Sequence, residues 1–360
     1  MKIALITDLH FGKSNDNKFY LKKQKEFFQN QFFPYIKKHE VKRVFCLGDI
    51  FDKRKTVNIE TLKEVKEFFF DYMLQNDIEF KSILGNHDIY FNNTSEVSII
   101  PLLKEYPNVT IYKHHTVYPC GDDFNIGFLA WINDSNIKET EEFFKRDDIN
   151  LLLGHLEICG FKMSKHNQHT IEEGYNESFF KKYENVFSGH LHLKSTSNNI
   201  TYLGTPYELT WLDFNSLVGF HIFNTDTREL QHIQNKENLF CKVVYDNGNV
   251  TSFPEHSSLE DKMVKVIIKN NDDGLKWRLF CEELEEKNAT VTILQDSEID
   301  TIDLKTLKEL EKKENIDMLE IFNEVIMSSS PNLNHKDKII RELTNLYENV
   351  ISDNTTEENL

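Results

Sequence analysis

Residues 44–49 read Val-Phe-Cys-Leu-Gly-Asp, a short apolar run that ends in a glycine and a carboxylate. The run has the length and the β-branched and aromatic content of a buried strand. Glycine tolerates unusual backbone angles and close approach of other segments, so Gly48 can place Asp49 just beyond the strand. Open α/β sheets bind ligands at this carboxyl end of their strands. The segment therefore predicts a sheet with a functional group at its edge.

The same arrangement recurs at residues 82–86, 151–155 and 186–190, where glycine precedes Asn86, His155 and His190. The first strand ends in Asp8-Leu9-His10, and the last copy continues to His192. Residues i and i+2 of an extended chain point the same way, so each such pair can aim two side chains at one place. The strand ends of one sheet are thus expected to bring together seven candidate metal ligands: Asp8, His10, Asp49, Asn86, His155, His190 and His192.

Apolar runs alternate with longer helix-period segments through the first half of the chain, which predicts an α/β fold built from βαβ units. Strands are expected at 2–7, 43–47, 81–84, 125–131, 150–153 and 185–188. Helices are expected at 18–39, 58–75, 95–106 and 137–145. Closely spaced strands at 200–203, 218–223, 230–234 and 240–245 are expected to finish the same domain.

A change in composition near residue 255, rich in serine and containing Pro254, predicts a domain boundary. Residues 1–254 are expected to form the first domain, and residues 255–300 a small β-α-β domain. Residues 301–352 are predicted to be a helical region and residues 353–360 a disordered tail.

The 360 residues, 39% of them hydrophobic, suffice for a sizeable core and exclude a collagen-like or disulfide-stapled protein. The net charge of −17 argues against a simple basic nucleic-acid clamp, but residues 1–254 carry only −5 and residues 255–360 carry −12. The five cysteines are widely spaced and never CxxC, which favours a reducing cytoplasm and no zinc ribbon. No run of about 18 apolar residues occurs, so a soluble protein is expected.

Seven ligands exceed the needs of one tetrahedral metal and suit two ions about 3.5–4 Å apart that share a carboxylate. Imidazole and oxygen ligands without thiolate favour manganese, iron or zinc. A lone Asp-x-His at a strand end is more often a turn or a hydrogen-bonded pair. Five motifs in one chain, each at a strand end, outweigh that explanation.

These motifs are Asp8-x-His10, Gly48-Asp49-x-x-Asp52, Gly85-Asn86-His87-Asp88, Gly154-His155 and Gly189-His190-x-His192, and they resemble those of the calcineurin-like metallophosphoesterases. The resemblance implies a two-sheet sandwich flanked by helices. It implies one metal on Asp8, His10, Asp49 and His192, and a second on Asp49, Asn86, His155 and His190. It also implies a metal-activated water as nucleophile and His87 as general acid.

Residues 7–12 and 202–210 further resemble the SbcD-type double-strand-break repair nucleases, in particular the compact recombination endonuclease subunits of large tailed phages. This resemblance implies a manganese-dependent DNA exonuclease and endonuclease, a capping domain at 255–300, an SbcC-like coiled-coil ATPase partner and a homodimer. It places the protein in the cytoplasm, that of the host if a phage encodes it, and away from membranes.

An apolar stripe at helical spacing lies near the carboxyl terminus. Periodicity alone favours packing on the chain's own core, whereas the resemblance favours a surface that binds the ATPase. The stripe consists of Ile339, Ile340, Leu343, Leu346, Tyr347 and Val350.

Two further expectations concern the surroundings of the metals. The carboxylate of Asp52 or Asp88 is expected to hydrogen-bond His87 and hold it as a proton donor. Asp52 stands where eukaryotic and archaeal relatives carry histidine. A basic group is expected either to contact DNA phosphates or to be an ordinary solvated turn. It comprises Lys13, Lys53, Arg54 and Lys55.

Two other functions share the same ligands. One is a calcineurin-like phosphoesterase that acts on a small phosphodiester or a phosphoprotein. The other is a scaffold that binds DNA ends through a degenerate, non-catalytic site. The complete ligand set weighs against the scaffold, and the additional domain and helices favour DNA over a small substrate.

Overall fold

The computed structural model describes residues 1–295, except for residues 122, 164, 166–169 and 256. The predicted helical region 301–352 and the tail 353–360 lie outside the described residues. So do the six apolar residues of the carboxyl-terminal stripe: Ile339, Ile340, Leu343, Leu346, Tyr347 and Val350.

In chain order, the strands are β1 (Lys2–Ile6), β2 (Arg43–Cys46), β3 (Glu79–Ile83), β4 (Ile89–Phe91), β5 (Thr94–Ser98), β6 (Val109–Tyr112), β7 (Thr116–Pro119), β8 (Asn125–Leu129), β9 (Leu151–His155), β10 (Asn185–Gly189), β11 (Ser195–Ser197), β12 (Ile200–Tyr202), β13 (Gly219–Asn224), β14 (Leu230–Gln234), β15 (Phe240–Asp246), β16 (Asn249–Phe253), β17 (Met263–Asn270) and β18 (Thr290–Gln295). The first six-stranded sheet has the order β14-β13-β1-β2-β3-β6, and the second has the order β11-β12-β10-β9-β8-β7. Strands β1, β2, β3 and β6 are parallel in the first sheet, as are β8, β9, β10 and β12 in the second.

The two six-stranded sheets pack face to face through aromatic side chains. The ring centroids of Phe45 and Phe128 are 5.2 Å apart, and those of Phe187 and Phe223 are 5.3 Å apart. All four rings belong to one buried cluster. The predicted fold class, an α/β two-sheet sandwich flanked by helices, is confirmed.

Two long helical segments cover the first sheet, and each contains one π-helical turn. The first comprises helix Lys18–Phe27, π turn Phe28–Phe32 and helix Phe33–Lys38. The second comprises helix Ile59–Val65, π turn Lys66–Phe70 and helix Asp71–Gln75. The segments meet at Phe28 and Phe69, whose ring centroids are 4.7 Å apart. A shorter helix, Ile137–Phe144, covers the second sheet, as the sequence predicts.

The helix predicted at residues 95–106 is wrong. Strands β4 and β5 form a two-stranded hairpin there, and a 3₁₀ turn follows at Ile100–Leu103. Proline lacks the backbone N–H that a helix interior needs, and it disfavours helical angles at the preceding residue. Pro101 therefore cannot lie in the middle of a twelve-residue helix, and the β-branched residues before it pair as strands instead.

A four-stranded sheet of order β16-β15-β17-β18 packs on helix Gly274–Glu286. The rings of Tyr245 and Phe280 stack at 5.2 Å between the sheet and the helix. Strand β15 pairs in parallel with β17, so the sheet extends to both sides of residue 255. The strand expected at 240–245 thus belongs to this small sheet and to neither six-stranded sheet. Local composition marks the serine-rich loop, whereas strand pairing decides which sheet a strand joins.

The side chain of Glu208, which lies between β12 and β13, connects that part of the chain to the start of β15 in the small sheet. Its buried carboxylate accepts hydrogen bonds from the backbone N–H groups of Asn215, Leu239 and Phe240, at 2.7, 2.7 and 3.0 Å. Glu208→Ala leaves these donors without their acceptor, and we expect the free energy of unfolding to fall by about 3 kcal/mol. Urea unfolding measures this loss, with the exposed Glu237→Ala as control. Equal stability of the two variants would contradict the prediction.

A histidine pair makes the fold sensitive to acid. His221 and His232 face each other across β13 and β14 with ring centroids 4.8 Å apart. Burial, the neighbouring imidazole and Lys194 lower the pKa of His221 well below its usual range. Burial and Lys194 lower the pKa of His232 to about 4.

The unfolded chain therefore binds more protons than the folded chain between about pH 6.5 and pH 4. We expect stability to be lost as the pH falls through this window, by up to about 1.4 kcal/mol per pH unit for each proton taken up on unfolding. His221→Leu should flatten the dependence, and a leucine in place of the exposed His39 should not. Urea midpoints from pH 4 to pH 7 measure the effect, and identical slopes for wild type and His221→Leu would refute it.

Candidate metal centre

Strand ends from both large sheets meet at one edge of the sandwich. β1, β2 and β3 supply Asp8 and His10, Asp49, and Asn86 from the first sheet. β9 and β10 supply His155, and His190 and His192, from the second. All seven predicted side chains come together here. The expectation that they share one sheet is wrong, because strand pairing separates β1–β3 from β9 and β10.

Four of these residues have left-handed backbone angles, with φ of 52° at Asp8, 45° at His10, 57° at Asp49 and 83° at His190. Such angles are strained for residues other than glycine and persist only where the surroundings hold them. Here backbone hydrogen bonds from Asp8 to the carbonyl of Gly48 and from His10 to the carbonyl of Asp49 hold the loops together. Left-handed turns therefore place four of the seven converging side chains.

One half of the centre surrounds Asp8 and His10. His10 Nε2 lies 3.9 Å from Asp8 Oδ1 and 3.6 Å from Asp49 Oδ2, and the His10 and His192 rings are 5.2 Å apart. Thr7 donates its hydroxyl to Asp8 Oδ2 at 2.7 Å and so fixes that carboxylate. Asp8, His10 and His192 form one group of ligand atoms that could hold a metal ion.

The other half surrounds Asn86. Its Oδ1 lies 2.9 Å from His155 Nε2 and 3.2 Å from His190 Nδ1. Asp49 Oδ2 is 3.4 Å from His155 Nε2 as well as near His10, so this carboxylate lies between the two halves. Its position is that of a bridging ligand.

Asp49 and His155 are both buried, with Oδ2 and Nε2 3.4 Å apart. Burial raises the pKa of the Asp49 carboxyl, but His155 and His10 lower it by more. The net result is a pKa well below the usual range. Burial lowers the pKa of His155, but Asp49 raises it more, to about 9. Metal binding displaces protons from such ligands, so a cation would take the place of the His155 proton.

Three of the histidines direct one nitrogen into the centre and contact a second group with the other, as metal-binding histidines commonly do. His155 Nδ1 bonds the carbonyl of Leu47 at 2.7 Å, and His190 Nε2 lies 3.2 Å from Glu157. His192 Nδ1 lies 3.6 Å from Asp213. These contacts fix the ring orientations before any metal binds.

The hypothesis that a carboxylate orients His87 is wrong. His87 Nδ1 contacts the backbone carbonyl of Asp52, and the Asp52 carboxylate instead pairs with Lys13 at 2.9 Å and lies 3.3 Å from His10 Nδ1. Burial raises the pKa of Asp52, but His10 and Lys13 lower it to about 2. The Asp52 carboxylate is thus engaged with Lys13 and His10, and the backbone carbonyl of the same residue contacts His87.

The side chain of Asp88 is hydrogen-bonded to backbone N–H groups. Its carboxylate accepts hydrogen bonds from the N–H groups of Asp49, Ile50 and Gly85, at 2.7, 2.9 and 2.9 Å. Burial, followed by the charge of Asp49, raises its pKa to about 7. Asp88 therefore ties the loops after β2 and β3 together and makes no contact with the His87 ring within the described residues.

The predicted DNA-contacting residues differ in their surroundings. Lys13 and Lys53 are engaged in ion pairs with Asp52 and Asp16, at 2.9 and 3.0 Å. In the part of the chain that the structure describes, Arg54 and Lys55 have no ion-pair partner. The side chain of Lys55 is exposed. The last two are thus better placed than the first two to meet a phosphate.

Two residues near the centre escaped the sequence-based prediction. Asp213 lies behind His192 and caps the 3₁₀ turn Trp211–Asp213, and the ring of Trp131 lies 5.2 Å from that of His190. Trp131 follows β8 as the candidate ligands follow their strands, which is a usable signal. Asp213 has no comparable signal, because strands β11 and β12 lie between it and His192 in the chain.

This donor set fits divalent metal ions. Asp8 and Asp49 are buried carboxylates, and Nε2 of the buried His10 has no hydrogen-bond partner among the described residues. Such groups are costly to leave unpaired in a protein interior, and a cation between them satisfies them. Three overlapping groups have ligand atoms within 4.8 Å of one another: Asp8, His10 and His192; His10, Asp49 and His87; and Asp8, Asp49 and His155. Shared ligands are what a two-metal site requires.

Comparison with known proteins agrees with this geometry. Residues 1–194 match the family model described as calcineurin-like phosphoesterase. The chain belongs to the calcineurin-like phosphoesterase family. It is therefore a metal-dependent phosphoester hydrolase, and the matched region contains every strand end of the centre. Over 318 residues the chain is 29% identical to exonuclease subunit 1 of enterobacteria phage T4, and the match covers 86% of this chain and 91% of that protein.

Solved structures of similar proteins are more distant. A novel archaeal phosphodiesterase matches with 14% identity and a TM-score of 0.33, over 65% of this chain and all of that one. The nuclease MPE of Pseudomonas putida matches with 14% identity and a TM-score of 0.28, over 61% and 83% of the two chains. Within the described part of this family member, no helix has both the length and the apolar character to cross a membrane.

Proposed function

We propose that this calcineurin-like phosphoesterase is a DNA exonuclease and endonuclease that cleaves phosphodiester bonds with two divalent metals. The observation that carries the proposal is the convergence of seven ligand side chains around Asp49, which lies within 3.6 Å of His10 and 3.4 Å of His155. The similarity to a phage exonuclease subunit along most of both chains supports DNA as the substrate.

The proposed division of the ligands has two halves with a common member. Asp8, His10, Asp49 and His192 hold one ion, and Asp49, Asn86, His155 and His190 hold the other. When bound, two such ions polarise a phosphodiester and lower the pKa of a coordinated water. Manganese is the proposed metal because of the resemblance to the SbcD-type nucleases, and magnesium, iron or zinc are the alternatives for a site with imidazole and oxygen ligands and no thiolate.

His87 is the proposed general acid. Its Nδ1 contacts the Asp52 carbonyl, which accepts a hydrogen bond, so Nε2 is the nitrogen that passes a proton to the leaving oxygen. Its ring lies edge-on to His10 at 4.8 Å, next to the ligands. The half-buried position of His87 lets substrate reach it, whereas Asp52 and Asp88 act by positioning the loops rather than by touching substrate.

End-labelled duplex DNA with manganese provides the test, with wild type compared with His87→Ser. We expect shortened products from wild type and a loss of about 100-fold or more from the variant, because general acid catalysis contributes roughly 10²–10⁴-fold. Hydrolysis of bis-nitrophenyl phosphate without hydrolysis of DNA would favour a small-molecule phosphoesterase. DNA binding without hydrolysis of either would favour the non-catalytic scaffold.

We further propose an SbcC-like ATPase partner, a homodimer, and action in the cytoplasm, that of the host if a phage encodes the chain. The name of the phage relative, a subunit, supports a complex. The apolar stripe is the proposed ATPase-binding segment, and aspartate at Leu343 and Leu346 is expected to abolish co-purification with such a partner. Hydrolysis of bis-nitrophenyl phosphate separates loss of the partner from loss of the fold.

A further inference from the structure

Two exposed aromatic side chains stand beside the metal centre. Tyr90 and Phe91 lie on β4, which begins two residues after His87. Their exposed fractions are 36% and 47%, and their ring centroids are 4.6 Å apart. Large aromatic side chains exposed together, rather than singly, commonly mark a binding surface.

The hairpin of β4 and β5 does not need these rings for its attachment. Ile89 is fully buried, Asn133 donates to the Ser95 hydroxyl at 2.8 Å, and Ser135 donates to the carbonyl of Asn93 at 3.1 Å. Within the described residues, neither Tyr90 nor Phe91 belongs to a buried hydrophobic cluster. The aromatic pair is thus carried on a fixed support and faces solvent.

Positive charge lies next to the aromatic pair. Lys55 Nζ is 5.7 Å from the centroid of Tyr90, and Arg54 precedes it in the same segment. Neither cation has an ion-pair partner in the part of the chain that the structure describes. The Asp52 carbonyl contacts His87 just before this segment, so the metal centre, the two cations and the two rings are contiguous.

We propose that Tyr90 and Phe91 form a stacking platform for unpaired nucleobases of a strand whose scissile phosphate lies at the metal centre. Arg54 and Lys55 would contact the backbone of that strand. Aromatic rings beside cations are the common device for binding single-stranded nucleic acid, because every base has a face on which a ring can stack. This inference rests on the proposed nuclease function and narrows its substrate to single strands and frayed ends.

The test measures equilibrium binding of fluorescently labelled 12-nucleotide strands to the full chain in EDTA. One strand is oligothymidylate, and the other is abasic, with the same phosphates but no bases. Tyr90→Ala and Phe91→Ala are each expected to weaken binding of oligothymidylate about 10-fold, a value within the range for loss of one stacked base. Binding of the abasic strand should remain within about twofold of wild type, because its contacts are ionic.

Phe179→Ala is the matched control, since it removes a ring of 52% exposure that packs near Phe144 and Tyr175 instead. Its binding of both strands should equal that of wild type, and circular dichroism checks that each variant is folded. Wild-type affinity of the Tyr90 and Phe91 variants for oligothymidylate overturns the platform, as does an equal loss for both strands. If wild type cleaves no DNA with manganese, the proposed function itself fails, and the platform with it.

Discussion

An Asp49→Asn variant is expected to lose at least about 1000-fold in kcat/KM on bis-nitrophenyl phosphate and to bind fewer metal ions per chain. The Asp49 carboxylate lies near both halves of the centre, with Oδ2 at 3.6 Å from His10 Nε2 and 3.4 Å from His155 Nε2. Asparagine keeps the shape of the side chain but removes the negative charge that two cations share. A loss of several kcal/mol in the stabilisation of charge in the transition state corresponds to the expected loss of about 1000-fold in kcat/KM.

Steady-state hydrolysis with manganese and metal analysis of dialysed protein measure the two effects. Asp148→Asn is the matched control, because Asp148 is exposed and pairs with Arg146 at the surface. Wild-type metal content in Asp49→Asn would refute the bridging role. Reduced metal content together with near-normal kcat/KM would show that one ion suffices.

A Gly85→Ala variant is expected to lose about 100-fold in activity and roughly 2 kcal/mol in free energy of unfolding. A Cβ at this position would lie 2.2 Å from Asp49 Oδ1 and 2.6 Å from the Asp49 nitrogen. The methyl group must push the Asp49 carboxylate aside, and overpacking of a closed site costs about 1–3 kcal/mol. A displacement of about 1 Å among reacting groups costs on the order of 100-fold in rate.

Gly274→Ala is the control for this variant, because a Cβ there meets nothing within 4 Å at the start of helix Gly274–Glu286. It should match wild type in activity and gain slightly in stability, since alanine restricts the unfolded chain. Urea unfolding and hydrolysis of bis-nitrophenyl phosphate measure both quantities. Wild-type behaviour of Gly85→Ala would contradict the close approach of the two loops.

The net charge of −17 does not oppose a nucleic-acid substrate at this site. Residues 1–254, which contain all the candidate ligands, carry only −5 of it. Two divalent ions would bring four positive charges against the two ligand carboxylates Asp8 and Asp49, leaving a local surplus for a phosphodiester. DNA affinity should therefore depend on metals and on a few cations such as Arg54 and Lys55.

Local sequence patterns predicted the secondary structure correctly where local interactions determine it. The strands before Asp8, Asp49 and Asn86 could be predicted because each is a short β-rich apolar run, and glycine ends the last two of these runs. The same holds for helix Ile137–Phe144, with its regular apolar spacing. The prediction of a helix at residues 95–106 was wrong because it gave more weight to a weak helical periodicity than to Pro101.

Contacts between segments far apart in the chain could not be predicted from local sequence patterns. Local patterns suggested carboxylates for His87, but the loop geometry places the Asp52 carbonyl there. They gave no sign that Asp213 lies behind His192, or that Tyr90 and Phe91 stay outside every core cluster described. Each of these facts depends on the relative placement of elements far apart in the chain.

The sequence by itself determined which side chains follow strands, because glycine and strand propensity act within a few residues. It thereby determined the ligand chemistry, the family and the α/β class. Only the tertiary structure decided that the ligands come from two sheets and that β15 joins the small sheet with β17. The physical reason is that strand pairing and sheet packing are set by long-range burial and hydrogen bonding, which leave no local trace in the residues they join.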